Sequence, residues 1–553
     1  MASTTASGVP SSKEKKYDRQ LRLWGADGQN KLESAHIALF GASATGCETL
    51  KNLILPSVGK FTIIDDKKVV DADLGVNFFL DEDSIGKSRA ERTAALLGEL
   101  NPDVRGGYIE DNLSNLLATK PELFRPESSP FTHIVVVSPF LTSDVLKLSP
   151  EIPTFLAYSI GFTCSLRIAA PTRCIVDTHP DTLIDLRLLN PWEELSALVA
   201  DLGTGVDAAE NDGGMSDHKH GHVPYVVLLL KYLEEWRATH GGANPLTYKE
   251  KTDFKAMILD RMRTNVPGGS EENYEEAAAA VLKNVREAEL SSDTRGVLED
   301  PRCINPSKNS FNFWIIAHAV REFQSRANQG AGLLPLSGGF PDMKAESSTY
   351  VALQTLYRSR ARRDALLVLE NTQSILAALG RDPESISLEE ITLFAKHANF
   401  VRKIDYRPLA PEYTQDDHHK HAVTAALAGF NPDWNKSTIH EYVAVRAWQA
   451  FYDRHGRAAG DEDSTLEADV VEMLKIAEEY LKEVGYEGEM NEHAQNTIKE
   501  VVRAGGGELH AIASLAGGIV AQEIVKVITS QYVPINNTVV FDGIASRSST
   551  FGF

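Results

Sequence analysis

The stretch HIALFGASATGCETL, residues 36–50, constrains this chain more than any other. An apolar run, a loop opened by glycine and a helical period follow without a break, the start of a strand–loop–helix unit in an open α/β sheet. A dinucleotide loop of this kind carries three glycines, with an acid roughly 20 residues on for the ribose. Here the loop reads Gly41-Ala42-Ser43-Ala44-Thr45-Gly46, and Asp65 and Asp66 end the next apolar run. Ser43 stands where the middle glycine, lacking a Cβ, would let backbone amides approach a pyrophosphate. Two readings stay open. In the first, Gly41 serves the turn, Gly46 the helix–sheet contact, and nothing binds between them. In the second, the loop belongs to a Rossmann-type dinucleotide-binding oxidoreductase or to a degraded ATP site.

Downstream, FTIIDD, SRAERTAALLGEL, THIVVVS and TFLAYSI alternate apolar β-branched runs with helical periods. This predicts a doubly wound, mainly parallel Rossmann-like sheet. After SLRIAA and Pro171 the β signal fades, and helical patterns such as YVVLLLKYLEEW, SFNFWIIAHAVREF and VVEMLKIAEEYLKEV take over. The last fifty residues carry a small-residue helical segment, GGGELHAIASLAGGIVAQEIVKVIT, and the β-rich YVPINNTVVFDG. The expected organisation is a flexible tail over 1–16, a first α/β part over 17–170, a helical insert over 171–504 and a returning α/β part over 505–553.

Several function classes recede on composition. No run of eighteen uncharged apolar residues occurs and MASTTASGVPSSKEKK has no apolar core, so neither a membrane span nor a secretory signal is expected. Cys47, Cys164, Cys174 and Cys303 form no CxxC pair, which suits a reducing compartment, cytoplasm or nucleus. A net charge of -21 argues against nucleic acid as partner. The histidine runs DHKHGH and DDHHKH lack cysteines and helical ligand spacing, so no metal is expected.

KYDRQLRLWG ahead of the loop, IIDDKKVVDADLGVNFFLDEDSIGKSRAE after it and AGGIVAQEIVKVI near the end resemble, in order and spacing, the adenylation domain of the enzymes that activate ubiquitin-like modifiers. The resemblance implies the ThiF/MoeB-like adenylation fold, here inactive, with a large inserted domain like the one that carries the family's catalytic cysteine. Active members use MgATP, and this chain departs from them where the chemistry is done. The family's Asp-x-Asp reads Asp65-Asp66-Lys67, and its phosphate-binding arginine falls on Val76. Its lysine falls on Arg89, and its magnesium aspartate falls near Phe140. No Pro-x-Cys-Thr setting appears, and Cys303, the cysteine of the helical stretch, reads as a half-buried loop residue beside Pro301 and Arg302.

What the resemblance implies is a non-catalytic regulatory subunit, with no cofactor of its own and only a vestigial loop of Gly41, Ser43, Gly46 and Asp65. Its obligate partner would be a catalytic adenylating subunit that binds MgATP and forms the thioester. The ubiquitin-like modifier and a conjugating enzyme would be met through that complex. A stand-alone protein-interaction adaptor is the third reading. At helical spacing Tyr17, Leu21 and Trp24 share an anchoring face and leave Arg19 and Arg22 outward. By the resemblance Arg19 would enter the partner's ATP site. GLLPLSGGFPDM, with Leu336, Phe340, Pro341, Asp342 and Met343, must bury its apolar groups in this chain or, as the resemblance favours, against the partner.

Overall fold

The computed structural model describes residues 11–208, 214–266, 269–431 and 436–553. It divides into two compact units, Met1–Arg173 together with Lys403–Phe553, and Cys174–Arg402.

In the first unit eight strands form one sheet among the described residues. They are β1 (His36–Phe40), β2 (Lys60–Ile64), β3 (Arg105–Ile109), β4 (His133–Val137), β5 (Thr154–Ile160), β6 (Thr163–Ala169), β9 (Thr538–Asp542) and β10 (Arg547–Phe551), in the spatial order β10-β9-β6-β5-β4-β1-β2-β3. β3, β2, β1, β4 and β5 run parallel, and β6, β9 and β10 continue antiparallel. Every residue of β1, β4 and β5 is buried, the reason these segments read as continuous apolar runs. β7 (Arg173–Ile175) and β8 (Arg402–Ile404) form a separate two-stranded ribbon.

The expected return of the C-terminal segment is seen: the helix His510–Thr529 lies on the helix Ala44–Ile54 that follows β1. At Gly517 the approach is so close that a Cβ would fall 2.6 Å from the Glu48 Cβ. This helix is long and apolar enough, by length and composition, to cross a membrane, but most of it is buried in the unit.

Two boundaries differ from expectation. The helical insert expected over 171–504 is, as a compact unit, Cys174–Arg402, and residues 403–504 belong with the sheet. Tyr442, Trp448 and Phe451 of the helix Ile439–His455 share one core with Ile134, Val136 and Leu156. Helical periodicity shows that a face is buried without showing against what. The flexible tail expected over 1–16 is helical from Ser12 to Lys16, closed by a capping box between Ser11 and Glu14, while residues 1–10 lie outside the described residues.

The second unit is helical, with Tyr232, Phe254, Tyr274 and Tyr357 in one core and Trp314, Phe323 and Phe394 in another.

Candidate functional site

The loop after β1 is built as its sequence requires. Gly41 turns at φ +91° with its amide on the Ile64 carbonyl at 3.1 Å, a conformation that disfavours a side chain. Gly46 passes so near the turn that a Cβ would lie 2.6 Å from the Gly41 oxygen. Ser43 caps the helix Ala44–Ile54, whose first amides point out of its end.

Those amides hold a residue of the same chain. The Glu508 carboxylate accepts from the Ala44 amide at 2.7 Å, the Thr45 amide at 3.2 Å and the Ser43 hydroxyl at 3.0 Å. Burial raises the Glu508 pKa, and the hydrogen bonds from Thr45, Ser43 and Ala44 oppose that rise. Glu508 is delivered by the run Gly505-Gly506-Gly507, with the Gly161 amide donating to the Gly507 carbonyl at 2.8 Å. A helix N-terminus favours an anion, and here the anion is internal.

Asp65 is equally committed. One oxygen accepts from the Ala42 amide at 2.7 Å and from Arg89 at 3.0 and 2.7 Å, and the other accepts from the Lys67 amide at 2.9 Å. Arg89 also reaches Asp73 at 3.1 Å. The acid that would take a ribose and the cation that would take a phosphate neutralise each other, Asp65 at 3% and Arg89 at 12% side-chain exposure. Lys67 is exposed. The Val76 carbonyl accepts from His510 Nδ1 at 3.0 Å, and the neighbouring Asn77 amide reaches Cys47 Sγ at 3.2 Å. The Phe140 ring is buried against Tyr158, with centroids 5.1 Å apart. No hard-cation ligand is supplied there, so the residues at these positions do not fit MgATP.

Sequence reasoning missed Glu508. Its signal was an acid placed directly after three glycines, ahead of a helix that it does not cap.

Outside the loop, Tyr17 is buried, Leu21 and Trp24 are half-buried and Arg19 and Arg22 are exposed, as the spacing predicts. Arg22 pairs with Asp18 at 3.0 Å. No described side chain pairs with the Arg19 guanidinium.

In the 332–343 segment the structure corrects the partner-facing expectation at Leu336 alone, and the other four named residues keep exposed surface. Leu336 is 2% exposed inside the core of its own unit, and Phe340 and Met343 pack against that core, Phe340 with its ring 4.9 Å from Tyr357. Pro341 is half-buried, and Asp342 is exposed. The glycines let the chain fold back onto its own helices, an outcome that apolarity alone does not distinguish from an interface.

Cys303 lies in the short helix Pro301–Ile304 and is fully buried, so the half-buried loop position is corrected too. Burial pushes its thiol up to about 12, and Arg302 is engaged by Asp300 at 2.8 Å and by the Trp314 face. Burial does the same for Cys47 and Cys164. In the histidine runs, His220 is buried between the Glu271 carboxylate at 2.8 Å and the Tyr274 hydroxyl at 3.0 Å, and His419 meets the Tyr480 hydroxyl at 2.9 Å. Among the described residues no group of three or more His, Cys, Asp or Glu converges as a metal would require.

A ThiF-type sheet whose loop is closed by the chain's own carboxylate defines the class, and the ThiF family model matches residues 17–128. NEDD8-activating enzyme E1 regulatory subunits from Xenopus laevis and Danio rerio are 38% and 36% identical to this chain, each alignment covering 98% of both partners. The Gallus gallus counterpart is 37% identical over 98% of this chain and 99% of its own. The chain belongs to the family of NEDD8-activating enzyme E1 regulatory subunits, within neddylation.

Proposed function

We propose that this chain is the non-catalytic half of a heterodimeric NEDD8-activating enzyme and lends Arg19 to the ATP site of a catalytic adenylating subunit. The observation that carries the reading is a contrast within one unit. The Ala44 and Thr45 amides, Asp65 and Arg89 are all paired internally at the loop, whereas the Arg19 guanidinium projects outward without a described side-chain partner. A planar, permanently charged donor fork suits the charge that develops on phosphate oxygens during acyl-phosphate formation. MgATP belongs, on this reading, to the partner. NEDD8 and a conjugating enzyme are engaged through the complex, in cytoplasm or nucleus.

For the docking face we favour the exposed apolar groups around the start of the helix His510–Thr529: Phe78 at 68% exposure, Ile544 at 67%, and Leu509 and Leu515. The Phe78 ring stacks on His510 with centroids 3.8 Å apart, and the turn at Gly543 abuts Ile512. Exposed apolar groups fixed in this way mark a surface that a partner covers.

The test is Arg19→Ala in the reconstituted heterodimer. ATP–pyrophosphate exchange dependent on NEDD8 should fall by about 10²-fold or more, with assembly intact by size exclusion. Exchange at the unmodified rate would overturn the reading.

A further inference from the structure

The helix Asp18–Ser34 is two helices in sequence. Gly25 sits at φ +68° and ψ -179°, a region essentially reserved for glycine, so residues 18–24 form a stub set off from the longer segment behind it. So short a helix is not stable alone in water. Both of its ends are tethered. At the front, Tyr17 is 2% exposed; its hydroxyl donates to Asp103 at 2.7 Å and accepts from the Asn101 amide at 3.1 Å. Asn101 is fixed in turn by the Ile54 carbonyl at 2.9 Å, and Lys16 reaches Asn101 at 2.8 Å and Asp103 at 2.7 Å. At the rear, the Trp24 indole donates to Gln29 at 3.0 Å, and the Trp24 carbonyl accepts from Gln531 at 2.8 Å. Gly28 makes room for the indole, since a Cβ there would lie 2.8 Å from the Trp24 Cβ.

Nothing in this arrangement holds the Arg19 guanidinium itself; what is held is the backbone beneath it. We propose that Tyr17, through Asn101 and Asp103, and Gln531 are positioning residues for Arg19, which fix the stub so that the guanidinium reaches the partner's site from a defined base. The proposal rests on the reading of Arg19 given above. Misplacing a charge donor by about 1 Å costs on the order of 10²-fold in rate, so partial release of one tether should cost less.

The experiment is a double-mutant cycle in the reconstituted heterodimer with NEDD8 and MgATP. Tyr17→Phe, which removes only the hydroxyl, and Gln531→Ala, which releases the other end, are each measured with Arg19 intact and with Arg19→Ala. Each tether variant should lower kcat for adenylation about 5- to 10-fold with KM for NEDD8 unchanged, and should slow the Arg19→Ala complex by less than about twofold. Size exclusion confirms assembly, and if one tether variant fails to assemble the other makes the same test. A tether variant that slows both backgrounds by the same factor, or slows neither while Arg19→Ala is slow, overturns the positioning role and leaves the Arg19 reading standing. Arg19→Ala at the unmodified rate removes that reading and, with it, this one.

Discussion

Arg89 and Arg19 lie in the same unit and meet opposite fates. Arg89 faces inward, pairs with Asp65 and Asp73 and is almost out of solvent, while Arg19 stands on a tethered stub with its guanidinium in solvent. In active relatives of the fold an inward cation at this loop would serve a nucleotide. Here the inward groups are each other's ligands, and the group that points away is left unpaired by any described side chain. A nucleotide-type loop is therefore read less by its glycines than by what its amides and its acid already hold.

Acid should test the closed side most severely, because the sheet unit depends on buried groups kept in one charge state. Burial holds His133 down to about 3 and His419 and His440 down to about 4. Burial would raise Glu412, but Arg167 and Arg446 outweigh it and bring Glu412 down to about 2. For all four the folded pKa is below the unfolded one, so the unfolded chain takes up protons first and stability falls as pH falls. The histidines act from about pH 6.5 downward, His419 and His440 to about 4 and His133 to about 3, on the order of 3–5 kcal/mol each, and Glu412 adds its loss below about pH 4.5. Urea midpoints should hold steady above about pH 7 and drop steeply between about pH 6.5 and 4. A flat profile through that range would show that these groups are solvated.

The next effect isolates the inward cation. Arg89→Ala leaves Asp65 buried with its amide donors and no counter-charge, which should cost about 3–5 kcal/mol in urea unfolding. A fully stable Arg89→Ala chain would mean that Arg89 was available for a ligand after all, and the contrast with Arg19 would collapse. Glu508→Ala should cost less, about 1–2 kcal/mol, because water can reach the freed helix amides. Hydrogen exchange at Ala44 and Thr45 should speed up in that variant, and Glu508→Gln, which keeps an acceptor, should fall between the two.

The legible parts of the molecule were those written in local pattern. The runs at β1, β2, β4 and β5 announced themselves because their strands lie in the sheet interior, and Tyr17, Leu21 and Trp24 because a helical face repeats. β3 was not read: RGGYI is a glycine-bearing edge strand, and Gly106 is required there because a Cβ would lie 2.6 Å from the Phe61 ring. Glu508 was missed because its partners lie more than 460 residues away in sequence. Residues 403–504 were assigned to the insert because a helix packed on a sheet and a helix packed on helices carry the same period. Leu336 was placed at an interface although it lies in the core of its own unit, because an apolar loop does not say which surface covers each of its side chains.

The smallest effect sharpens the comparison most. Arg22 differs from Arg19 by three positions on the same stub and shares its charge and exposure, so any general role for positive charge at this surface would be common to both. Arg22, however, is paired with Asp18 one turn earlier, an exposed pair with side-chain exposures of 78% and 54% whose contribution to stability is slight. Arg22→Ala should therefore change NEDD8 adenylation by less than about twofold, within what the loss of a screened surface pair produces. The measurement is the same pyrophosphate exchange as for Arg19→Ala, repeated at low and high salt. If Arg22→Ala instead slows exchange as much as Arg19→Ala, and salt removes the difference from the unmodified complex, the stub acts as a diffuse positive surface and neither arginine is singled out by its geometry.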